Sequence, residues 1–446
     1  MNDDSTVTVG VLSLHNSKET KAICNAIEAL GHDPEWLRRE NLVVDISDGR
    51  VRLEPAVDVV INRLLLSKSG VPCEELGLAN TLAHVRPMLN EPADTLRALH
   101  KVTTAVILSR AGIRVPDALL ALDSERLNRA LAEGGEEAVY KTAIGTNGGG
   151  TWKVGPNDQV NARVGNRYAF LQSLIESPED EHTRDLRVYV VDDAVVGSMF
   201  RYAPENDWRT NVALGGRVED ATGVTPEAVL ETAIEATAAV GLDFAGVDLV
   251  EDDGEWSVLE VNPTAGFRGL FEATGRSPAP HIARLGIERA GGRVDADRID
   301  SLATVFDDST PTCKPEAIRP DARETQTIGY IEEVMVSGTS GSKTVRAKSD
   351  TGATRTSIDT ALAADIGAGP IKSITKVRSG SRKASKSRPV VDLVVAVGGS
   401  RHTVTASVED RSHMTYPLLL GRDILRNYQV DVSRQVDAEA EDDEEE

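Results

Sequence analysis

Residues 246–262, GVDLVEDDGEWSVLEVN, leave a chain few ways to fold. Two short apolar runs flank the turn signal Asp252-Asp253-Gly254, so the stretch reads as a β-hairpin. With a three-residue loop over 253–255, Asp248 lies directly opposite Glu260, and period-2 alternation puts Asn262 on the face of Glu260. Three oxygen ligands on one wall, two of them carboxylates, suit a hard divalent cation such as Mg2+ or Mn2+. Taken alone, the same residues also fit a surface hairpin with one solvated acidic face. The rest of the chain separates the two readings.

The 446 residues make more than one domain. A formal net charge of −22 argues against nucleic acid as the main partner. Cys24, Cys73 and Cys313 are scattered and odd in number, which points to a reducing compartment. No apolar run is long enough to span a bilayer, so no membrane partner is expected and the location expected is cytoplasmic.

The periodicities predict an N-terminal α/β domain over 1–90, with strands at 7–14, 42–46 and 57–61 and a helix over 18–30 ended by Gly31. Asn62 and Arg63 fall at a strand end, where α/β sheets commonly bind ligands. A second domain over 91–290 opens with a helix over 95–111 that carries Lys101. Strands near 117–121, 138–141, 185–191 and 194–202, with helices near 124–133, 226–240 and 278–290, complete it. Residues 291–326, with scattered prolines and charges, read as a linker. Period-2 segments then mark a small β domain over 327–434, and residues 435–446 read as an acidic, disordered tail. Within 327–434 there are 16 Lys and Arg against 10 Asp and Glu, and residues 372–388 contain no acid.

Several residues could complete a phosphate site beside the acidic hairpin. The glycine-rich loop at 144–151, with Gly148 and Gly149, offers backbone N–H groups that can wrap an anion. It is not a Walker A loop, because no Gly-Lys-Ser/Thr follows. Lys101 and Lys141 are point charges suited to phosphate oxygens. Arg201, Arg209 and Asn211 could stabilise charge on a transferring phosphoryl group. No Ser, Cys or His nucleophile is evident, so the attacking group can come from the substrate. A carboxylate attacking ATP gives an acyl phosphate, which an amine then captures.

The segments NEPADTLRALHK (90–101), VYKTAIGTNGGG (139–150), DLRVYVVDDAVVG (185–197), DWRTN (207–211) and FAGVDL…LEVNPTAGFRG (244–269) resemble, in this order, the RimK-type ATP-grasp ligases. That family joins an amino acid, usually glutamate, to a carboxylate. The resemblance implies an ATP-grasp fold behind a Rossmann-like α/β domain. It implies that Lys141 contacts ATP phosphates, that Asp185, Arg209, Thr210 and Asn211 help bind nucleotide, and that Asp248, Glu260 and Asn262 carry two Mg2+ or Mn2+ ions. The chain departs from the family where Gln172-Ser173-Leu174-Ile175 lacks the usual Glu after the hinge Gln. Backbone groups from Gln172 to Leu174 are therefore expected to meet adenine. Pro263-Thr264-Ala265-Gly266 replaces the usual Pro-Gly, so the amino-acid pocket is expected to differ.

Residues 346–358, RAKSDTGATRTSI, followed by YPLLLGRDIL at 416–425, resemble the retropepsin-like family that accompanies RimK ligases. The resemblance makes Asp350 an aspartic-peptidase carboxyl. One such turn per chain implies a homodimer, since two carboxyls must share a proton. Although some of that family are called zinc proteases, His402 and His413 are the only His of the unit, and no HExxH or Cys pair accompanies them. Altogether the sequence predicts α/β and α+β architecture with a small all-β domain. The function expected is ATP-dependent addition of glutamate or a similar amino acid to a carboxylate acceptor, a protein tail or a coenzyme. A fused peptidase-like unit could trim the product; its basic run at 372–388 could attract polyglutamate, be neutralised by the chain's own acidic tail from Asp437 to Glu446, or be a solvated loop. The competing class is an ATP-regulated assembly protein with an inactive dimerisation module.

Overall fold

In the computed structural model, residues 6–145, 150–175, 183–204, 208–210, 216–311, 313–315, 326–378 and 385–436 are described. The chain divides into two units, Met1–Ile318 and Arg319–Glu446. The first apolar run becomes β1 (Thr8–Leu12). Ser17 then caps α1 (Lys18–Ala29) by accepting from the Thr20 N–H at 3.2 Å. Next come β2 (Asp33–Leu37), β3 (Val43–Ser47), β4 (Arg50–Glu54), β5 (Val59–Asn62), α2 (Pro72–Ala83) and β6 (Met88–Leu89). β1, β2, β5 and β6 form a parallel sheet in the order β2-β1-β5-β6. Its core is Val9, Val11, Ile23, Ile27 and Ile61. β3 and β4 pair as a separate hairpin.

The helix expected over 95–111 is two helices, α3 (Pro92–Leu99) and α4 (Lys101–Arg110). His100 ends the first in an extended conformation and caps the second, its ring nitrogen accepting from the Thr103 N–H at 3.2 Å. No Gly or Pro announces the break, so the apolar periodicity runs through it. β7 (Ala118–Leu119), α5 (Ser124–Gly134), β8 (Ala138–Thr142), β9 (Thr151–Val154), β10 (Arg163–Val164) and β11 (Arg167–Ser173) follow. Their sheet runs β10-β11-β8-β9, with β7 on β11.

β12 (Arg184–Val191), β13 (Ala194–Tyr202), β14 (Arg217–Asp220), α6 (Glu227–Val240), β15 (Phe244–Asp252) and β16 (Glu255–Asn262) build the next layer. The sheet order is β14-β13-β12-β15-β16, antiparallel throughout. One face carries Leu186, Val188, Val190, Val247, Leu249 and Val258, packed with Val229, Ala233 and Val240 of α6. The opposite face is polar and belongs to the site below. α7 (Arg268–Thr274), α8 (Ala279–Arg289) and α9 (Ala296–Ala303) close the unit. α9 lies inside the stretch expected as a linker, where Ile299 and Ala303 are buried; its eight residues are too short for periodicity to stand out.

The second unit is a closed, mostly β body. It contains β17 (Gln326–Ser337), β18 (Ser342–Ser349), β19 (Ser357–Asp359), α10 (Thr360–Ile366), β20 (Ile371–Arg378), β21 (Ser385–Val397), β22 (Ser400–Glu409), β23 (Leu418–Leu420), α11 (Arg422–Leu425) and β24 (Tyr428–Gln435). The strand order is β20-β21-β22-β19-β23-β18-β17-β24, and a β21–β17 pairing closes the barrel. Val334, Val336, Ile358, Val395, Leu418 and Leu420 fill it. The acidic tail expected from residue 435 lies outside the described residues beyond 436.

Candidate active site

The β15–β16 hairpin brings Asp248 opposite Glu260 and Gly246 opposite Asn262, by a route the sequence did not show. Its loop has two residues, not three: Asp252 pairs with Glu255 across Asp253 (φ 50°) and Gly254 (φ 82°). Positive φ at both central positions is what a tight hairpin turn demands. Carried on unbroken, that register would set Leu259 against Asp248 and turn Glu260 to the apolar face. A bulge at Leu259 corrects it, because the register shifts between Asp248 and Leu249.

Alternation on neighbouring strands then collects charge on the polar face. Asp185 pairs with Arg201, and Arg187 with Asp248, across β12. Arg187 holds both Asp248 oxygens, Nε and Nη2 each donating at 2.6 Å. Arg201 grips Asp185 the same way at 2.7 and 2.5 Å and reaches Asp248 at 3.0 Å. Burial alone would raise the Asp248 carboxyl, but the two guanidiniums outweigh it and hold it at about 2. Arg187 was not among the residues singled out from the sequence. The signal was available: once β12 pairs with β15, alternation puts Arg187 on the Asp185 face.

The His100 break places Lys101 at the first position of α4, its N–H donating to the Ala143 carbonyl at 2.9 Å and its ammonium paired with Glu260. Lys141 sits on β8 above the Phe170 ring, 5.7 Å from its centroid. Burial pushes the Lys141 ammonium down to about 7, reinforced by Lys101 and opposed by Asp248. Burial likewise brings Lys101 to about 8. These lysines, Gln172, Leu174, Asp185 and Arg201 line one open cleft. Arg209, Thr210, Asp248 and Glu260 line it too. Thr210 donates to Asp185 at 2.6 Å. Gly148, Gly149 and Asn211 lie outside the described residues.

Asn262 Nδ2 lies 3.3 Å from Asp248 Oδ2 and 3.2 Å from Glu260 Oε1, so the three side chains converge. With the amide turned over, an assignment that hydrogen bonding alone sets, the wall offers oxygen from all three residues. The donor set fits a hard cation such as Mg2+. Among the described residues no group of three or more His, Cys, Asp or Glu is placed to hold a metal, so an ion here would rely on the Asn262 amide.

In the second unit the Asp350 turn and the 418–423 segment lock together. Ala347 to Ser349 pair in parallel with Leu418 to Leu420, and the Asp350 N–H donates to the Leu420 carbonyl at 3.0 Å. Asp350 Oδ1 accepts from the N–H groups of Gly352 and Ala353 at 2.9 and 3.2 Å. Asp423 accepts from the Thr356 N–H at 3.0 Å and its hydroxyl at 2.8 Å. A Cβ on Gly421 would stand 2.4 Å from the Arg355 carbonyl carbon, so only glycine fits. His402 is bonded to the Tyr428 hydroxyl at 2.5 Å, and His413 is exposed. The basic run is less free than its sequence suggests, since Lys372 pairs with Asp392 and Arg388 with Glu409. Residues 379–384, with Lys383, lie outside the described residues.

A family model of the RimK-like ATP-grasp domain matches residues 98–285. The tetrahydromethanopterin:alpha-L-glutamate ligase of Methanocaldococcus jannaschii is 35% identical over 203 residues, 43% of this chain and 67% of that protein. The chain belongs to the RimK-like ATP-grasp ligases. A probable alpha-L-glutamate ligase 2 of Shewanella amazonensis is 28% identical over 286 residues, 61% of this chain and 93% of that relative. The solved ATP-grasp ligase PsnB with its minimal precursor matches with a TM-score of 0.51 at 21% identity, over 64% of this chain and 100% of PsnB, a likeness of fold. RimK-like ATP-grasp ligases join carboxylate to amine with ATP, and this chain is a ligase of that class. The second unit matches a model described as retropepsin-like aspartic endopeptidase RimB over residues 365–441, which begin beyond Asp350. Among the described residues no helix is long and apolar enough to cross a membrane.

Proposed function

We propose that this RimK-like ligase adds L-glutamate to the carboxylate of a protein tail or coenzyme. The observation that carries the reading is the convergence of Asp248, Glu260 and Asn262, with the two carboxylates lining one cleft together with Lys101 and Lys141. The relatives' names, alpha-L-glutamate ligases, support glutamate as the amino acid. In the reaction a carboxylate oxygen of the acceptor attacks the γ-phosphorus of ATP and ADP leaves. The glutamate amine then attacks the acyl carbon, phosphate departs, and the amine proton passes to solvent.

Lys101 and Lys141 steady the phosphates, and Gly148 and Gly149 would add backbone N–H donors to the same oxygens. Gln172 and Leu174 offer backbone to adenine, while Asp185, Arg209, Thr210 and Asn211 hold the nucleotide. Arg201 and Arg187 fix Asp248 and supply positive charge behind the transferring group. Asp248, Glu260 and Asn262 would hold two Mg2+ or Mn2+ ions, which neutralise charge on the phosphoryl oxygens. Incubation with ATP, L-glutamate and a cell extract tests the reading: phosphate release that requires both glutamate and extract is expected. Release that ignores glutamate would contradict it.

The second unit we read as an aspartic-peptidase-like module that trims the ligase product. The tight Asp350 turn, held by Gly352, Ala353 and the Leu420 carbonyl, supports this. Two copies of the chain would bring two Asp350 carboxyls together to share a proton.

A further inference from the structure

In the N-terminal sheet the chain leaves β1 for β2 on one side and β5 for β6 on the other, so the strand order reverses between β1 and β5. The carboxyl end of such a switch point is where α/β sheets take ligands. Arg63 stands there, its N–H donating to the Leu12 carbonyl at 2.9 Å. The residue is 4% exposed. Its Nη2 donates to the Ala265 carbonyl at 3.3 Å, and its guanidinium lies 4.9 Å from the Phe267 ring centroid. Nε and Nη1 have no hydrogen-bond partner among the described residues. A buried guanidinium with two idle donors is costly to keep, since each unmade bond forfeits solvation that nothing replaces.

The loop that Arg63 touches is the one leaving the oxygen wall. Three buried side chains pin its carbonyls: Asn90 holds Pro263 at 3.2 Å, Arg63 holds Ala265, and Tyr189 holds Gly266. Asn90 and Tyr189 are neutral and would serve any loop. Arg63 brings a full charge and more donors than the loop consumes. Ala265 in turn lies against Gly246, where a Cβ would come within 2.6 Å of its methyl, and Gly246 pairs with Asn262. A group held by Arg63 is thus one loop away from the wall where the acyl phosphate would form.

We propose that Arg63 is the carboxylate clamp of the amino-acid substrate, its open donors taking the α-carboxylate while the amine turns toward the oxygen wall. The assignment rests on the ligase reading above. A guanidinium suits it because Nη1, with the second hydrogen of Nη2, can present a fork to a carboxylate while Nη2 keeps the Ala265 carbonyl. The acceptor carboxylate, by contrast, must reach the phosphates.

Calorimetry on the full chain, loaded with ADP and Mg2+, tests the clamp. The probes are the standard L-amino acids, each compared with its α-amide. At least one amino acid, L-glutamate first, should bind, and its α-amide should bind about 10²-fold more weakly. Arg63→Met should lose affinity by a similar factor, with a Tm equal to or above that of the wild type, because a poorly compensated buried charge is gone. A residue that only pinned the loop would lower Tm and leave the α-amide discrimination untouched. The clamp is overturned if Arg63→Met binds the amino acid undiminished, if the α-amide binds as tightly to the wild type, or if the loaded wild type binds no amino acid. Should Arg63→Met fail to fold, the α-amide comparison in the wild type decides alone. ATP-dependent phosphate release tests the ligase reading separately, so either can fail without the other.

Discussion

Glu260 and Lys141 carry the sharpest consequences of the site. Glu260→Gln keeps the shape of the wall and removes one charge from it. Stabilisation of the developing phosphoryl charge should fall, slowing turnover by about 10²–10³. Near-wild-type turnover in a single-turnover assay would dismiss the oxygen wall as the metal seat. Lys141, held at about 7 mainly by burial, is half protonated near neutrality in the free protein. Phosphate oxygens favour the ammonium, so its pKa rises in the complex. ATP affinity should therefore be full below pH 7 and decline as pH rises above it. Binding at about pH 8 should take up a proton, seen as a heat that depends on the buffer's ionisation enthalpy. Lys141→Arg, always charged, should abolish that dependence. A buffer-independent heat in the wild type would remove Lys141 from the phosphate site.

Elements decide how those residues meet, and here the sequence was legible only in part. The 246–262 hairpin announced itself through the Asp-Asp-Gly turn and two apolar runs. The Asp248–Glu260 pairing was anticipated from a three-residue loop that the protein does not use. A bulge at Leu259 restores the same register, and a bulge leaves no mark on alternation until the turn length is known. The α3–α4 break at His100 was hidden for a similar reason, since a capping histidine looks like any polar residue in a helix. Arg187 escaped notice because its role exists only once β12 and β15 pair. In the second unit, the DTG and LLGRD segments were readable as partners, and Gly421 shows how closely they fit. Gly421→Ala would drive a methyl into the Arg355–Thr356 backbone. It should destabilise that unit by about 1–3 kcal/mol or more. Calorimetry should show its thermal transition lowered while ATP binding at the first unit is kept. An unchanged transition would mean that the two segments are not tightly coupled.

At the scale of the whole molecule, a ligase and a retropepsin-like unit share one chain, and each has its own core. A single Asp350 per chain predicts self-association. Sedimentation of the full protein at micromolar concentration should report a dimer, and a monomer would leave Asp350 without the second carboxyl that aspartic chemistry needs. The ligase stands or falls on the bond that the first unit makes. Mass spectrometry of a cell extract treated with the protein, ATP, Mg2+ and L-glutamate addresses it most directly. An acceptor should gain glutamate-sized increments, matched by released phosphate and absent with Glu260→Gln. ATP consumed with no glutamate-bearing product would contradict it.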